Sequence, residues 1–196
     1  MPKLVDHTRQ CRELAATTAD VVASDGLEHA TLRSVAARHG CTKGMVQHYF
    51  ADKNALLLGA LDYVEDQAEA RMPQEHGTLE GLELVHARLA SLLPVSMPAR
   101  REWQVRLAFN NCAVLTPAMK TSMERRRAAR QRVVIAGLRR ARRTGELQGQ
   151  RSLLNTCRAL DALVAGIGLG TVIDPNAYPA AAQRRILRSA IDDLRR

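Results

Sequence analysis

Apolar residues recur at helical spacing along most of the chain, and no segment alternates as a strand does. Between Thr8 and Ser24 they follow a 3.6-residue period that Gly26 ends. Asp52 opens a longer helix that runs to about Arg71. The same period then predicts helices over 78–93, from Pro98, over 117–143, over 152–170 and over 179–194. The chain is therefore expected to be all-α, with one break at residues 72–77.

Residues 31–53 carry the clearest signal of two short helices joined by a tight turn. Thr31 precedes apolar positions at helical spacing and can accept hydrogen bonds from the free N–H groups of the first turn. Gly40 ends this helix because glycine adopts the left-handed conformation without a Cβ penalty. Thr42 caps the next helix almost immediately, with Cys41 expected to point inward, and Asp52 caps a third. This arrangement predicts a helix-turn-helix within a three-helix domain.

The second of these helices, over about 43–50, divides into an inner and an outer side. Val46 and Phe50 lie one turn apart and are expected to face the first helix. A helix that enters the major groove puts its N-terminal residues on base edges, where glycine permits close approach and lysine or glutamine donates hydrogen bonds. The positions expected to face outward suit that role: Lys43, Gly44, Gln47 and His48.

This stretch resembles the TetR-type one-component transcriptional regulators, whose pattern runs roughly T-[LV]-R-x-[IV]-A-x-x-x-G-V-S-x-G-x-[LI]-Y-x-[HY]-F-x-x-K-x-x-L. The residues that match it are Thr31, Leu32, Arg33, Ala36, Gly40, Gly44, Tyr49, Phe50, Lys53 and Leu56, and Thr42 matches its capping Ser in kind. The His-Tyr-Phe ending is most similar to the BetI-type subgroup. Ser34 departs from the pattern where an acidic residue is usual, and Gln47 where a phosphate-contacting Tyr is common.

The resemblance implies a helix-turn-helix DNA-binding domain at residues 1–55 and a helical ligand-binding and dimerisation domain at 56–196. It also implies a homodimer that binds a pseudo-palindromic double-stranded DNA operator, is expected to repress, and is released by a small-molecule inducer. No cofactor is expected. The DNA-binding residues would be Thr31, Arg33, Thr42, Lys43, Gly44, Met45, Gln47, His48, Tyr49 and Lys53.

The last two predicted helices have the pattern of a dimer interface. In the first of them, apolar residues between Leu153 and Ile167 cover more than one face, which one small subunit has difficulty burying. Gly166, Gly168 and Gly170 allow close helix approach, and two such helices from each subunit would form a four-helix bundle.

The scarcity of aromatic residues bears on the inducer. With Tyr49 and Phe50 in the DNA-binding domain and Tyr178 beside a proline, an aromatic cage for a quaternary ammonium ligand is hard to build. We therefore expect an apolar or anionic inducer in a mostly apolar pocket. The candidate ligand-binding residues are Tyr63, Trp103 and Phe109, with His86, Asn110 and Asn111 to orient polar groups.

Charge is unevenly distributed. Residues 1–55 hold seven basic and six acidic side chains, whereas residues 100–143 hold thirteen and two. The phosphate contacts must therefore come from local placement on the helix-turn-helix, and the Arg-rich helix is interpreted as a solvated face whose field at most steers association.

The chain shows no features of a metalloprotein or a membrane protein. Cys11, Cys41, Cys112 and Cys157 lack metal-ligand spacing and are expected to be reduced, buried thiols, so no metal site is predicted. The longest uncharged apolar run, 162–173, is short of the roughly 20 residues that cross a bilayer. Without a signal peptide, a cytoplasmic protein is expected.

Two other classes of protein remain as alternatives, a helical enzyme and a structural adaptor. The G-I-G-L-G run at 166–170 lacks dinucleotide-binding spacing and a preceding strand, so helix packing accounts for it better. His86, Cys112 and Asp161 can be assembled into a triad on paper, but no motif positions them, and no catalytic residue is predicted. An adaptor would explain the dimer helices but not the outward face of residues 43–48.

Overall fold

A computed structural model describes residues 2–73 and 78–195, with side chains except at 2–6, 115 and 118. These residues form α-helices without a strand, which confirms the all-α prediction. The helices are α1 Pro2–Asp25, α2 Leu32–His39, α3 Lys43–Tyr49, α4 Lys53–Ala70, α5 Gly81–Ala90, α6 Met97–Leu115, α7 Pro117–Arg143, α8 Leu153–Ile173 and α9 Ala180–Asp192, followed by a 3-10 turn at Asp193–Arg195. The break expected at 72–77 falls largely outside the described residues.

Two compact units make up the chain. Unit 1 consists of residues 1–67 with 104–112, and unit 2 of residues 68–103 with 113–196. The division into domains at residue 55 stays a prediction.

Unit 1 is built on the helix-turn-helix. Leu14 and Val21 of α1 are buried, as are Val35 of α2 and Val46 of α3. α1 begins at Pro2 rather than at Thr8, so its predicted start was too late. Proline is well suited to a first helical position because its φ is already fixed near the helical value and its missing N–H would be unbonded there.

Phe50 joins the end of α3 to α4. A Cβ atom on Gly59 would lie 2.6 Å from Cε1 of the Phe50 ring, so only glycine leaves room for this ring. Because Phe50 is buried, it fixes the direction in which the chain leaves the helix-turn-helix.

Unit 2 is a bundle in which α5 packs against α7, α8 and α9, and α8 packs against α7 and α9. The helix axes of α5 and α7 come close because Gly137 faces Val85, where a Cβ would lie 2.8 Å from Cγ2 of Val85. The core residues of this bundle are fully or almost fully buried: Leu82, Val85, Leu89, Val134, Leu138, Leu187 and Ile191.

The start of α5 differs from the predicted helix start at residue 78. The helix begins at Gly81, and Glu80 stands at the N-cap without a side-chain cap. The Glu146 carboxylate instead accepts a hydrogen bond from the Leu82 N–H at 3.2 Å, while Glu80 binds Arg140 at 2.7 Å. A carboxylate distant in sequence thus satisfies a free N–H group of this helix.

A buried ion pair joins the residue after α4 to α6 within unit 2. Arg71 donates from Nη1 and Nη2 to the two carboxylate oxygens of Glu102, at 2.7 and 2.6 Å, and from Nε to the Ser91 carbonyl at 3.0 Å. Glu102 is only 6% exposed. This bidentate geometry is the strongest form of an arginine–carboxylate interaction.

The cysteines are less buried than expected. Cys157 is buried, and desolvation followed by the charge of Asp161 raises the pKa of its thiol to about 11. Cys11, Cys41 and Cys112 are half-buried, so the prediction of buried thiols is wrong for these three.

One described helix, α8, is long and apolar enough to cross a membrane by length and composition alone. The expectation that no segment is long enough to cross a bilayer was therefore wrong, because it considered only uninterrupted runs of uncharged residues. Core helices of globular proteins pass the same test, and Cys157, Leu160, Val164 and Ile167 bury one face of α8 within unit 2.

Candidate nucleic-acid interface

The start of α2 is held by a reciprocal capping box. The Thr31 hydroxyl accepts from the Ser34 N–H at 3.1 Å, and the Ser34 hydroxyl accepts from the Thr31 N–H at 2.9 Å. Ser34 therefore closes the box in place of the longer acidic side chain that is usual there. Thr31 and Arg33 are exposed at this end of the helix.

Gly40 makes the turn between α2 and α3. Its φ of 80° and ψ of 30° are left-handed, and its N–H and that of Cys41 both donate to the Ala36 carbonyl at 3.0 Å. Thr42 then caps α3 by accepting from the Met45 N–H at 3.2 Å. Local sequence signals thus fix the angle between these two helices.

α3 separates a buried side from an exposed side as its spacing predicts. Val46 is fully buried and Phe50 nearly so, whereas Met45 is half-buried. A Cβ on Gly44 would meet nothing closer than the Thr42 hydroxyl oxygen at 3.8 Å, so packing within the chain does not require glycine there. The exposed residues are Thr42, Lys43, Gly44, Gln47 and His48.

An aromatic cluster lies at the C-terminal end of α3. The ring centroid of Tyr49 lies 4.7 Å from that of His7 on α1 and 5.1 Å from that of His48. Tyr49 is half-buried while both histidines are exposed. Sequence reasoning missed His7, because no local signal links α1 to the end of α3.

The Lys53 ammonium makes one hydrogen bond within the protein. It begins α4 after Asp52, whose carboxylate caps the helix by accepting from the Ala55 N–H at 2.8 Å. Lys53 Nζ donates to the Glu28 carbonyl at 3.0 Å. An ammonium has three donors, so two remain for a phosphate.

The candidate ligand-binding residues in unit 1 differ in exposure. Phe109 is fully buried and Tyr63 is half-buried. Asn110 and Asn111 are exposed, so neither is enclosed within this chain. Their role with a ligand remains a prediction.

The two candidate ligand-binding residues of unit 2 have defined neighbours. Trp103 is buried, donates from Nε1 to the Leu92 carbonyl at 2.6 Å, and lies so close to Gly168 that a Cβ there would be 2.4 Å from its ring. His86 is half-buried, and its pKa is lowered by desolvation and then by Arg188 of α9. The ligand-binding role of both residues also remains a prediction.

The glycines of α8 serve different contacts. A Cβ on Gly168 would strike Trp103 and one on Gly170 would lie 2.6 Å from the Tyr178 ring, whereas Gly166 has open space around it. The run at 166–170 lies inside a helix, so it packs helices rather than forming a loop.

Asp161 and His86, which can be drawn into a triad with Cys112 on paper, have other neighbours in the structure. Asp161 accepts a hydrogen bond from Gln131 at 3.1 Å and pairs with Arg130 at 3.7 Å. The charged residues near His86 include Arg188 and Asp192.

The surface of α8 that faces away from unit 2 is mainly apolar. Leu169 is 45% exposed, and Leu154, Ala162, Ala165, Gly166 and Ile173 are also exposed. Arg158 and Asn155 are exposed on the same side, so this surface is mainly but not entirely apolar. Ile167, which belongs to the apolar residues that the sequence suggested for a dimer contact, is instead a core residue of the subunit, as is Leu187 of α9.

The comparisons with known proteins cover both halves of the chain. A model of the C-terminal domain of BetI-type transcriptional repressors matches residues 81–196. The regulator PksA of Bacillus subtilis is 30% identical over 110 residues, which are 56% of this chain and 54% of PksA. BetI of Klebsiella pneumoniae is 33% identical over 82 residues, 41% of this chain and 42% of BetI. The chain thus spans about half the length of these curated relatives.

Solved structures match over nearly the full length. A transcriptional regulator from Rhodococcus sp. Rha1 has a TM-score of 0.80 at 28% identity, covering 94% of this chain and 95% of that one. A regulator from Saccharomonospora viridis, solved in complex with choline, has a TM-score of 0.81 at 20% identity, covering 94% and 96%. At 20% identity, this second likeness is evidence for a shared fold and not for a shared ligand. The match over residues 81–196 is more than half of the chain, and with the helix-turn-helix at its other end, the chain belongs to the TetR family of transcriptional regulators, with a C-terminal domain of the BetI type.

Proposed function

We propose that this protein is a cytoplasmic, ligand-responsive repressor that binds a pseudo-palindromic operator as a homodimer. Residues 1–55 would read the operator, and residues 56–196 would bind the inducer and form the dimer. Inducer binding would favour a dimer whose two heads no longer match successive major grooves about 34 to 36 Å apart.

The exposed side of α3 is the observation that carries this proposal. Thr42 caps the helix and Val46 anchors it in the core. Lys43, Gly44 and Gln47 are exposed, and packing within the chain does not require glycine at position 44. A short helix held in this way, with donors and a glycine at its N-terminal end, suits contact with base edges. A purely structural adaptor or a helical enzyme would not require such a face.

A gel-shift with DNA from the protein's own promoter region, in excess non-specific competitor, tests the function. A discrete complex that survives competitor supports the proposal, and protection of two half-sites in a footprint would show the pseudo-palindrome. Binding that competitor removes completely would favour the alternative classes.

Leu169→Arg is expected to dissociate the dimer without unfolding the subunit. Leu169 lies on the exposed apolar surface of α8, and a guanidinium placed between two subunits would be buried without a partner. Sedimentation should show monomer mass with an unchanged helical spectrum, and operator binding should be lost together with the dimer.

Val114→Arg is the matched control, because Val114 is 81% exposed on α6. Ile167→Glu is unsuitable as a test, since Ile167 is 2% exposed and its replacement would destabilise the subunit itself. If the Leu169→Arg protein remained a dimer, the interface would have to lie outside this face of α8.

The inducer is proposed to be apolar or anionic, because the chain has few aromatic rings for a cation cage. The likeness to the Saccharomonospora viridis protein, whose structure holds choline, raises the competing proposal of a quaternary ammonium ligand. The fluorescence of Trp103, the single tryptophan, can report the binding of either class of ligand.

Titration of fatty acids and aromatic acids is expected to change Trp103 fluorescence and to release operator DNA in a saturable way. Choline and betaine, titrated in parallel, are expected neither to change Trp103 fluorescence nor to release operator DNA. Saturable operator release by choline alone would contradict the proposed ligand class while leaving operator binding intact.

A further inference from the structure

α7 is the most basic element of the protein. Its sequence holds ten basic residues against the single acidic residue Glu124. The structure divides these basic side chains into those with partners and those without.

Several of the α7 arginines are engaged inside unit 2. Arg130 pairs with Asp161 at 3.7 Å, and Arg140 binds Glu80 at 2.7 Å. Arg126 donates to Ser122, and Arg142 donates to the Arg151 carbonyl. Each of these four guanidinium groups therefore has a partner within unit 2.

Four other arginines form a line on the outside of the same helix: Arg125, Arg132, Arg139 and Arg143, here called the arginine stripe. All four are exposed, and none has an acidic partner within the part of the chain that the structure describes. At 100° per residue they lie within about 40° of one another, and at 1.5 Å per residue they extend over about 27 Å. Glu124 projects roughly 80° from the middle of the stripe.

The arginines of the stripe are far enough apart to bind phosphates independently. Seven residues separate Arg125 from Arg132 and Arg132 from Arg139, or about 10.5 Å for each step. This is close to the Debye length at physiological salt, about 8 Å, so each arginine is screened from the next and gains separately from a phosphate. Guanidinium also matches phosphate geometry in a bidentate fashion.

The residues between the arginines distinguish nucleic acid from a membrane. The same face of α7 carries Thr121, Ala128, Ala129 and Ala136, which are all exposed. A helix that lies on a membrane inserts several bulky apolar side chains between its basic residues. Among the described side chains this face offers one, Ile135, which lies at its margin and is half-buried. A small, flat and basic face instead permits close approach of a rod-like polyanion.

We propose that the arginine stripe is a second DNA-binding surface, independent of base sequence and separate from the helix-turn-helix. Residues 1–55 have nearly balanced charge, so α7 would supply much of the salt-dependent affinity for non-operator DNA. The arginines of the stripe would displace condensed counterions from the DNA phosphates without contact to base edges.

The test compares full-length Arg132→Gln/Arg139→Gln protein with Lys120→Gln/Arg127→Gln protein. The second pair removes the same charge from exposed positions on α7 that lie about 120° or more from the middle of the stripe. Affinity for a non-operator duplex is measured by anisotropy between about 50 and 200 mM salt. The stripe variant should lose at least tenfold in affinity at about 0.1 M salt, and its salt slope should shrink by about 1.8 for two lost phosphate contacts. The Lys120→Gln/Arg127→Gln variant should keep both values close to those of the unmodified protein.

Equal losses in the two variants would show an effect of net charge only and would overturn the proposal, as would an unchanged slope in the stripe variant. Stripe-dependent binding to phosphatidylserine vesicles with unchanged DNA affinity would assign the surface to a membrane instead. Affinity for a short operator duplex, measured in parallel, separates these outcomes from a failure of operator recognition. Circular dichroism and dimer mass exclude misfolding as the cause.

Discussion

Glu102→Ala is expected to lower the free energy of unfolding by about 3 kcal/mol, because it leaves the Arg71 guanidinium in a largely buried position without its carboxylate. Both Nη atoms of Arg71 lose their acceptors, and only the bond from Nε to the Ser91 carbonyl remains. Urea denaturation followed by circular dichroism measures the loss as a lower midpoint.

The double variant Arg71→Met/Glu102→Leu is the control for this result. Replacing both members of a buried pair with apolar residues of similar size is often close to neutral, so much of the stability should return. If Glu102→Ala alone were as stable as the unmodified protein, the ion pair would not hold the end of α4 to α6 in solution.

Gly168→Ala is expected to destabilise unit 2 by about 1 to 3 kcal/mol through overpacking. The added Cβ would lie 2.4 Å from three atoms of the Trp103 ring, which is buried and held by its bond to Leu92. The ring or α8 must therefore move. Trp103 emission should shift in the same variant as its surroundings change, which links the stability loss to this contact.

Gly166→Ala is the matched control one half-turn away. No atom of the subunit lies within 4 Å of a Cβ at that position, so in the monomeric Leu169→Arg background the helix should gain up to about 1 kcal/mol from the replacement of glycine. Trp103 emission should stay unchanged. Equal destabilisation by both variants would indicate that glycine is needed for the helix itself rather than for the Trp103 contact.

The helix-turn-helix was predictable because local signals specify it. Thr31, Gly40 and Thr42 each form hydrogen bonds with residues three or four positions away, and such local interactions can be predicted from sequence spacing. The buried side of α3 followed from helical spacing for the same reason.

The contacts that sequence reasoning missed join residues that are distant along the chain. Glu146 caps α5 from 64 positions away, Arg71 pairs with Glu102 across 31, and Lys53 donates to Glu28 across 25. No spacing rule links such residues. The two sides of α8 were ambiguous for a related reason, since apolar residues that face the core and those that face outward alternate on one helix.

The base preferences of the Lys43→Ala and Gln47→Ala variants test the central claim, that α3 reads an operator. Each variant should bind the operator about 1 to 3 kcal/mol more weakly and lose preference at particular base pairs while it tolerates the others as before. Lys53→Ala is the comparison, and it should weaken all sequences alike and flatten the salt dependence. Operator affinity and base preference unchanged in both α3 variants would contradict the account.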